Sequence, residues 1–112
     1  MMEPVRGFID IDEGQVHYRT AGRGRAPLVM FHGSPGSSKM LSRLISAIGE
    51  TRHVIALDTM GQGDSSAPAR DNVDMAYFAD AACRALDAHG GLDQVDVFGT
   101  HTGARIATEF AI

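Results

Sequence analysis

Apolar positions in this chain fall into short runs of two different kinds. Residues 7–11 and 16–20 alternate between apolar and polar side chains, and the turn-forming residues at 12–14 between them predict an antiparallel hairpin. Leu28–Phe31 and Val54–Leu57 are instead continuously apolar. Runs of that kind are typical of parallel strands covered on both faces. Residues 95–98, Val-Asp-Val-Phe, predict one further strand.

A stretch that favours a helix follows each of the last three predicted strands. Ser37 or Ser38 can cap a first helix, and Asp74 can cap a second that runs from Met75 to about His89. A third helix is expected to begin near Ala104. The first helix has apolar residues spaced i, i+3, i+4, i+7, at Leu41, Leu44, Ile45 and Ile48. Strands alternating with such helices predict an α/β fold with a mostly parallel sheet and helices on both faces.

Composition narrows the class of protein. The 112 residues are 44% hydrophobic and 21% charged, which is typical of one globular domain. A net charge of -4 with scattered basic residues disfavours nucleic acid as a partner, and no apolar stretch is long enough to span a membrane. No segment has the pattern of a signal peptide, so the cytoplasm is the expected location. The single cysteine, Cys83, cannot form an internal disulfide.

Three glycine-rich loops follow the three predicted parallel strands, at residues 32–36, 58–65 and 99–103. Because loops at the carboxyl ends of parallel strands converge on one edge of the sheet, we expect them to lie side by side. The last loop turns directly from strand into helix, with Gly99 and Gly103 flanking an exposed tip at His101. Histidine tolerates positive φ better than most residues, so it can occupy such a strained tip.

In this order and strand context, the loops resemble the first half of α/β-hydrolases of the epoxide hydrolase, haloalkane dehalogenase and esterase type. The matching segments are His-Gly-x-Pro-Gly at 32–36, Asp-x-x-Gly-x-Gly-x-Ser at 58–65 and Gly-x-nucleophile-x-Gly at 99–103. The resemblance covers nearly the whole chain from Val16 onward. It implies that residues 1–112 are the N-terminal portion of a single α/β-hydrolase domain, truncated in the helix after the nucleophile elbow, with an N-terminal antiparallel hairpin.

The resemblance also assigns roles to the loop residues. His101 takes the nucleophile position, where the family has Ser, Asp or Cys, and the backbone N–H groups of Ser34 and Thr102 form the oxyanion hole. His32 resembles the family's loop-bracing histidine. The remaining loop residues are expected to shape the turns, with the Asp58 carboxylate accepting local backbone N–H bonds. These structural positions are Gly33, Pro35, Gly36, Asp58, Gly61, Gly63, Gly99 and Gly103.

The expected function is hydrolysis of a small uncharged substrate of the ester or epoxide type, with no cofactor. In such a family the acid and the general-base histidine lie beyond Ile112, so the 112 residues alone are expected to be inactive. The alternative is a catalytically inactive member of the fold that binds a ligand or a partner, because the usual serine is missing. The His101 imidazole could serve as nucleophile, general base or ligand, and the oligomeric state stays open.

Three other kinds of site are disfavoured. A dinucleotide fingerprint needs glycine at the first, third and sixth positions of the last loop, which are Gly99, His101 and Ala104 here. No Gly-Lys-Ser/Thr follows the glycines at 61 and 63, so a phosphate cradle there is poorly supported. His32, Asp58 and His101 could in principle hold a metal ion, but the first and second are expected to face their own loops. No metal site is predicted.

Overall fold

The computed structural model describes residues 3–24, 26–90 and 94–112. Within them the chain alternates strands and helices after an initial hairpin, and a short 3-10 helix at Ser38–Leu41 precedes the first α-helix. The elements are β1 Val5–Ile11, β2 Gly14–Ala21, β3 Leu28–Phe31, α1 Ser42–Ile48, β4 Val54–Leu57, α2 Met75–Gly90, β5 Asp96–Gly99 and α3 Thr102–Ala111.

The five strands form one mixed sheet in the order β1-β2-β4-β3-β5. Strands β4, β3 and β5 run parallel, and β1 and β2 form the predicted antiparallel hairpin, whose second strand pairs antiparallel with β4. The carboxyl ends of β3, β4 and β5 therefore lie at one edge of the sheet. The β5 strand has a neighbour on one side only, so it forms an edge of the sheet as described.

Both faces of the parallel strands are covered, as the continuous apolar runs predicted. Val29 and Phe31 of β3 belong to a core that includes Ile106 of α3, whereas Met30 between them packs with Ile45 of α1 on the other face. Alternate residues of a strand point to opposite faces, so two cores from one strand place helices on both sides. All four residues of β4 are buried for the same reason.

The start of the first helix differs from the prediction. Ser37 does act as a cap, since its side chain accepts a hydrogen bond from the Lys39 N–H, but the turn that follows is a 3-10 helix. Ser38 is fully buried and its N–H donates to Asp58 Oδ1 at 2.7 Å. Because this bond ties the first turn to a neighbouring loop, the regular α-helix begins only at Ser42.

The other two helices agree with the prediction in type and differ at their ends. Asp74 Oδ1 accepts the N–H of Tyr77 at 2.8 Å, which is the predicted cap of α2. Helix α3 begins at Thr102, two residues before the predicted start, because the left-handed residue His101 already ends the preceding turn. Strand β5 likewise begins and ends one residue later than predicted.

Candidate active site

His101 projects from a tight turn between β5 and α3. Its backbone has φ 54° and ψ -123°, and its side chain is exposed. The two flanking glycines are required by close backbone approach: a Cβ at Gly103 would lie 2.2 Å from the Phe31 carbonyl oxygen, and one at Gly99 would lie 2.3 Å from the Gly103 oxygen. Helix and strand can pack this tightly only without side chains there, which leaves residue 101 as the projecting tip of the turn.

The loop after β3 lies directly against this turn. The Ser34 N–H donates to Thr102 Oγ1 at 2.7 Å, and a Cβ built on Gly33 would be 3.3 Å from the His101 Cβ. The structure thus brings Ser34, His101 and Thr102 together. It also places the Thr102 hydroxyl on the Ser34 N–H, so one of the two expected oxyanion donors is already hydrogen-bonded within the protein.

Gln62, from the loop after β4, braces the Ser34 loop from its other side. Its Nε2 donates to Ser34 Oγ at 2.8 Å, and its Oε1 accepts the Gly36 N–H at 3.2 Å. The sequence analysis did not single out Gln62. The available signal was its place between Gly61 and Gly63, in a loop predicted to lie beside the other two.

His32 is fully buried beneath the same loop, and both of its ring nitrogens are used. Nε2 lies 3.0 Å from the Thr59 N–H, and Nδ1 lies 2.8 Å from the Gly33 carbonyl oxygen. An N–H can only donate and a carbonyl can only accept, so the ring is neutral and carries its proton on Nδ1. These contacts link the loops after β3 and β4, and they leave neither nitrogen free for a metal ion.

Asp58 joins three segments through one buried carboxylate. Oδ1 accepts the Ser38 N–H at 2.7 Å, and Oδ2 accepts the Asp64 N–H at 2.9 Å and lies 2.9 Å from His17 Nδ1. Burial alone would raise the pKa of this carboxyl, but the hydrogen bonds from Ser38, Asp64 and His17 outweigh burial and hold the pKa below its ordinary value. Asp58 is therefore ionised at neutral pH, and among the described residues its carboxylate bonds to its own loop, to the turn after Ser37 and to β2, and makes no hydrogen bond to His101.

The sequence analysis missed a hydrogen-bonded chain that ends at this carboxylate. Arg6 Nε donates to His17 Nε2 at 3.0 Å, so the His17 proton is on Nδ1 and is donated to Asp58. His17, Asp58 and Asp64 offer ligand atoms within 4.8 Å of one another, but Arg6 pairs with Asp64 at 2.8 Å and already supplies a positive charge. The available signal was a histidine, His17, inside a strand predicted from its alternating pattern, and this side chain is fully buried.

The geometry of the three loops has a counterpart in known proteins. A family model described as alpha/beta hydrolase fold matches residues 26–112. The chain belongs to the α/β-hydrolase fold family. The contacts above show how a histidine is accommodated at the tip of the turn at 99–103.

Curated relatives of this α/β-hydrolase-fold chain include hydrolases of different kinds. A proline iminopeptidase of Lactobacillus delbrueckii subsp. bulgaricus is 32% identical over 114 residues, which cover 96% of this chain and 38% of the relative. A soluble epoxide hydrolase of Corynebacterium sp. (strain C12) is 39% identical over 97 residues, covering 87% and 33%. The chain thus spans between 33% and 38% of the length of these two relatives.

Solved structures show the same fold. The epoxide hydrolase CorEH, solved without ligand, has a TM-score of 0.86 and 38% identity, and the match covers 97% of this chain and 38% of that one. An N-acyl homoserine lactonase complexed with N-hexanoyl homoserine has a TM-score of 0.84 and 27% identity, covering 96% and 40%. In the described part of this chain, none of the helices has both the length and the apolar character needed to cross a bilayer.

Proposed function

We propose that the protein containing this chain hydrolyses a small uncharged substrate of the ester or epoxide type at the turn around His101. The observation that carries the proposal is the exposed imidazole at a strained tip, set between the Ser34 loop and the N-terminus of α3. Relatives named as an epoxide hydrolase and a lactonase support small neutral substrates. The proposal includes no cofactor.

For an ester, His101 would act as the nucleophile. An unprotonated imidazole nitrogen attacks the carbonyl carbon, an N-acyl imidazole forms, and the C–O bond to the alcohol breaks as the alcohol takes up a proton. Water then attacks the acyl carbon, breaks the N–acyl bond and releases the acid. Hydrogen-bond donors where the Ser34 loop meets the first turn of α3 would stabilise the negative charge on the carbonyl oxygen in both steps. A general base and an acid would come from residues outside this chain.

We also propose that residues 1–112 form the N-terminal portion of a single, larger domain. The support is the share of each relative that the chain spans, together with the open side of β5, which can accept further strands. A cytoplasmic location stays a prediction.

A second candidate function is ligand or partner binding without catalysis. It is favoured by the Thr102 hydroxyl on the Ser34 N–H, since this contact occupies a donor that hydrolysis would use.

The two functions are separated by assaying the complete gene product on p-nitrophenyl acetate and on styrene oxide. Free imidazoles cleave activated esters without a site, so the criterion is saturable turnover, and His89→Ala on the surface of α2 is the matched control. We expect His101→Ala to abolish saturable turnover and His89→Ala to preserve it. Saturable turnover that survives His101→Ala would refute the proposed role of the imidazole, and binding of either compound without turnover would favour the second function.

A further inference from the structure

We propose that the Thr102 hydroxyl, and not the Ser34 N–H, is the donor that contacts the substrate oxygen at this site. The assignment rests on the proposed function and gives a side chain the task that the family resemblance gives to the Ser34 backbone amide. It follows from one contact, the hydrogen bond of 2.7 Å from the Ser34 N–H to Thr102 Oγ1.

The position that a substrate oxygen would need at Ser34 is filled by Thr102. An effective oxyanion donor must lie about 2.7–3.1 Å from the oxygen that it stabilises. At 2.7 Å the Thr102 oxygen itself sits at that distance from the Ser34 N–H. The loop is held from behind by the Gln62 amide, which bonds both Ser34 Oγ and the Gly36 N–H, so the Ser34 N–H is not free to turn toward a second acceptor.

The Thr102 hydroxyl has a proton left to donate. A hydroxyl offers one donor and two acceptor lone pairs, and the Ser34 N–H uses one lone pair. Among the described residues no acceptor receives the Thr102 O–H, and the side chain is half-buried beside His101. The N–H bonded to the hydroxyl oxygen polarises the O–H and strengthens it as a donor. The Thr102 backbone N–H, in the first turn of α3, lacks an intrahelical acceptor and supplies the second donor.

The kinetic test uses two substitutions at position 102 and one at position 100. Thr102→Ser keeps the hydroxyl, and Thr102→Val keeps the shape and removes it. Thr100→Val is the matched control, because Thr100 flanks the same turn and makes only backbone hydrogen bonds among the described residues. In the complete gene product we expect Thr102→Val to lower kcat on p-nitrophenyl acetate by about 10²-fold with little change in KM. Thr102→Ser and Thr100→Val should stay within about threefold of the wild type.

A binding test reports on the same hydroxyl without turnover. Trifluoroacetophenone carries an electrophilic carbonyl but no leaving group, and its binding can be followed by ¹⁹F NMR. We expect Thr102→Val to raise the Kd for the ketone by about tenfold or more relative to the wild type and to Thr102→Ser. The corresponding alcohol, which lacks the carbonyl, should bind all variants equally.

The outcomes separate this inference from the proposed function. If Thr102→Val binds the ketone or turns over the ester as well as the wild type or better, the hydroxyl is only a cover on the Ser34 N–H, and the inference is overturned while the site stands. If the wild type does not bind the ketone and hydrolyses neither the ester nor styrene oxide, the proposed function is overturned and this inference with it. If it hydrolyses styrene oxide alone, the proposed function stands and this inference is overturned.

Discussion

Replacing Asp58 by Asn tests whether the loops are held by one charged acceptor. The carboxylate accepts the Ser38 and Asp64 N–H groups and the His17 Nδ1 proton, whereas an amide has one accepting oxygen. The better orientation turns the amide oxygen toward Asp64 and His17. The amide NH₂ then faces the Ser38 N–H, so two hydrogen-bond donors point at each other. Water cannot reach them readily, because residue 58 is only 1% exposed.

The magnitude follows from this count of donors. One hydrogen bond to a charged group is lost, worth about 1.5–3 kcal/mol, and a buried donor is left unsatisfied at a cost of about 1–3 kcal/mol. The substitution also removes the cost of burying a charge, which offsets part of this sum. We therefore expect Asp58→Asn to lower the free energy of unfolding by about 3 kcal/mol at pH 7. Asp87→Asn, which changes an exposed carboxylate on α2, should stay within about 0.5 kcal/mol.

The pH dependence of this difference has a definite sign. The pKa of Asp58 is depressed in the folded state from an ordinary value of 3.8, so the unfolded chain takes up a proton first as the pH falls. The stabilisation is therefore complete above about pH 5 and is lost as the pH falls below 3.8 toward the folded pKa. Urea denaturation followed by circular dichroism at pH 7, 5 and 3.5 measures it. If Asp58→Asn loses less than about 1 kcal/mol at pH 7, or loses the same amount at pH 3.5, the loops are not held by an ionised carboxylate at position 58.

Three further substitutions test the packing around the site. Gly103→Ala places a Cβ 2.2 Å from the Phe31 carbonyl oxygen. It should therefore lower the free energy of unfolding by about 3 kcal/mol in urea denaturation, even though alanine favours helices more than glycine does. A variant as stable as the wild type would contradict the close approach. Thr59→Val removes a buried hydroxyl that has no hydrogen-bond partner among the described residues, so it should raise the free energy of unfolding by about 1 kcal/mol. A lower free energy of unfolding would mean that the hydroxyl is hydrogen-bonded in solution. Gln62→Leu removes both hydrogen bonds that brace the Ser34 loop, so in the complete gene product it should lower kcat/KM on p-nitrophenyl acetate by about tenfold. The free energy of unfolding should change by less than about 1.5 kcal/mol. An unchanged kcat/KM would count against the bracing role of Gln62.

The strands were predictable because their signal is local. The bounds of β3 and β4 match the continuous apolar runs residue for residue, and burial on both faces leaves such runs no polar positions. The ends of helices were less predictable, because capping at Ser37 and Asp74 is local but the burial of Ser38 against Asp58 is not. Helix propensity along the sequence does not predict the contact between Ser38 and Asp58.

The candidate site was predictable in its membership and only partly in its bonding. The convergence of the loops follows from parallel strand order, so Ser34, His101 and Thr102 could be placed together before any coordinates. The bond between Ser34 and Thr102 joins residues 68 apart in sequence, and that between His17 and Asp58 joins residues 41 apart. Such pairs depend on strand register and side-chain direction, which the sequence pattern does not specify.

We propose that the three loops form one ligand site with the His101 imidazole at its tip. The direct measurement is a titration of the ¹⁵N-labelled complete gene product with trifluoroacetophenone, in which the Ser34 and Thr102 amide signals and the His101 ring signals are followed together. We predict that all three shift with a single Kd, while the ring signals of the buried His17 and His32 do not move. Shifts confined to other residues, or a His101 ring that does not respond while Ser34 does, would show that His101 and the Ser34 loop do not share one ligand site.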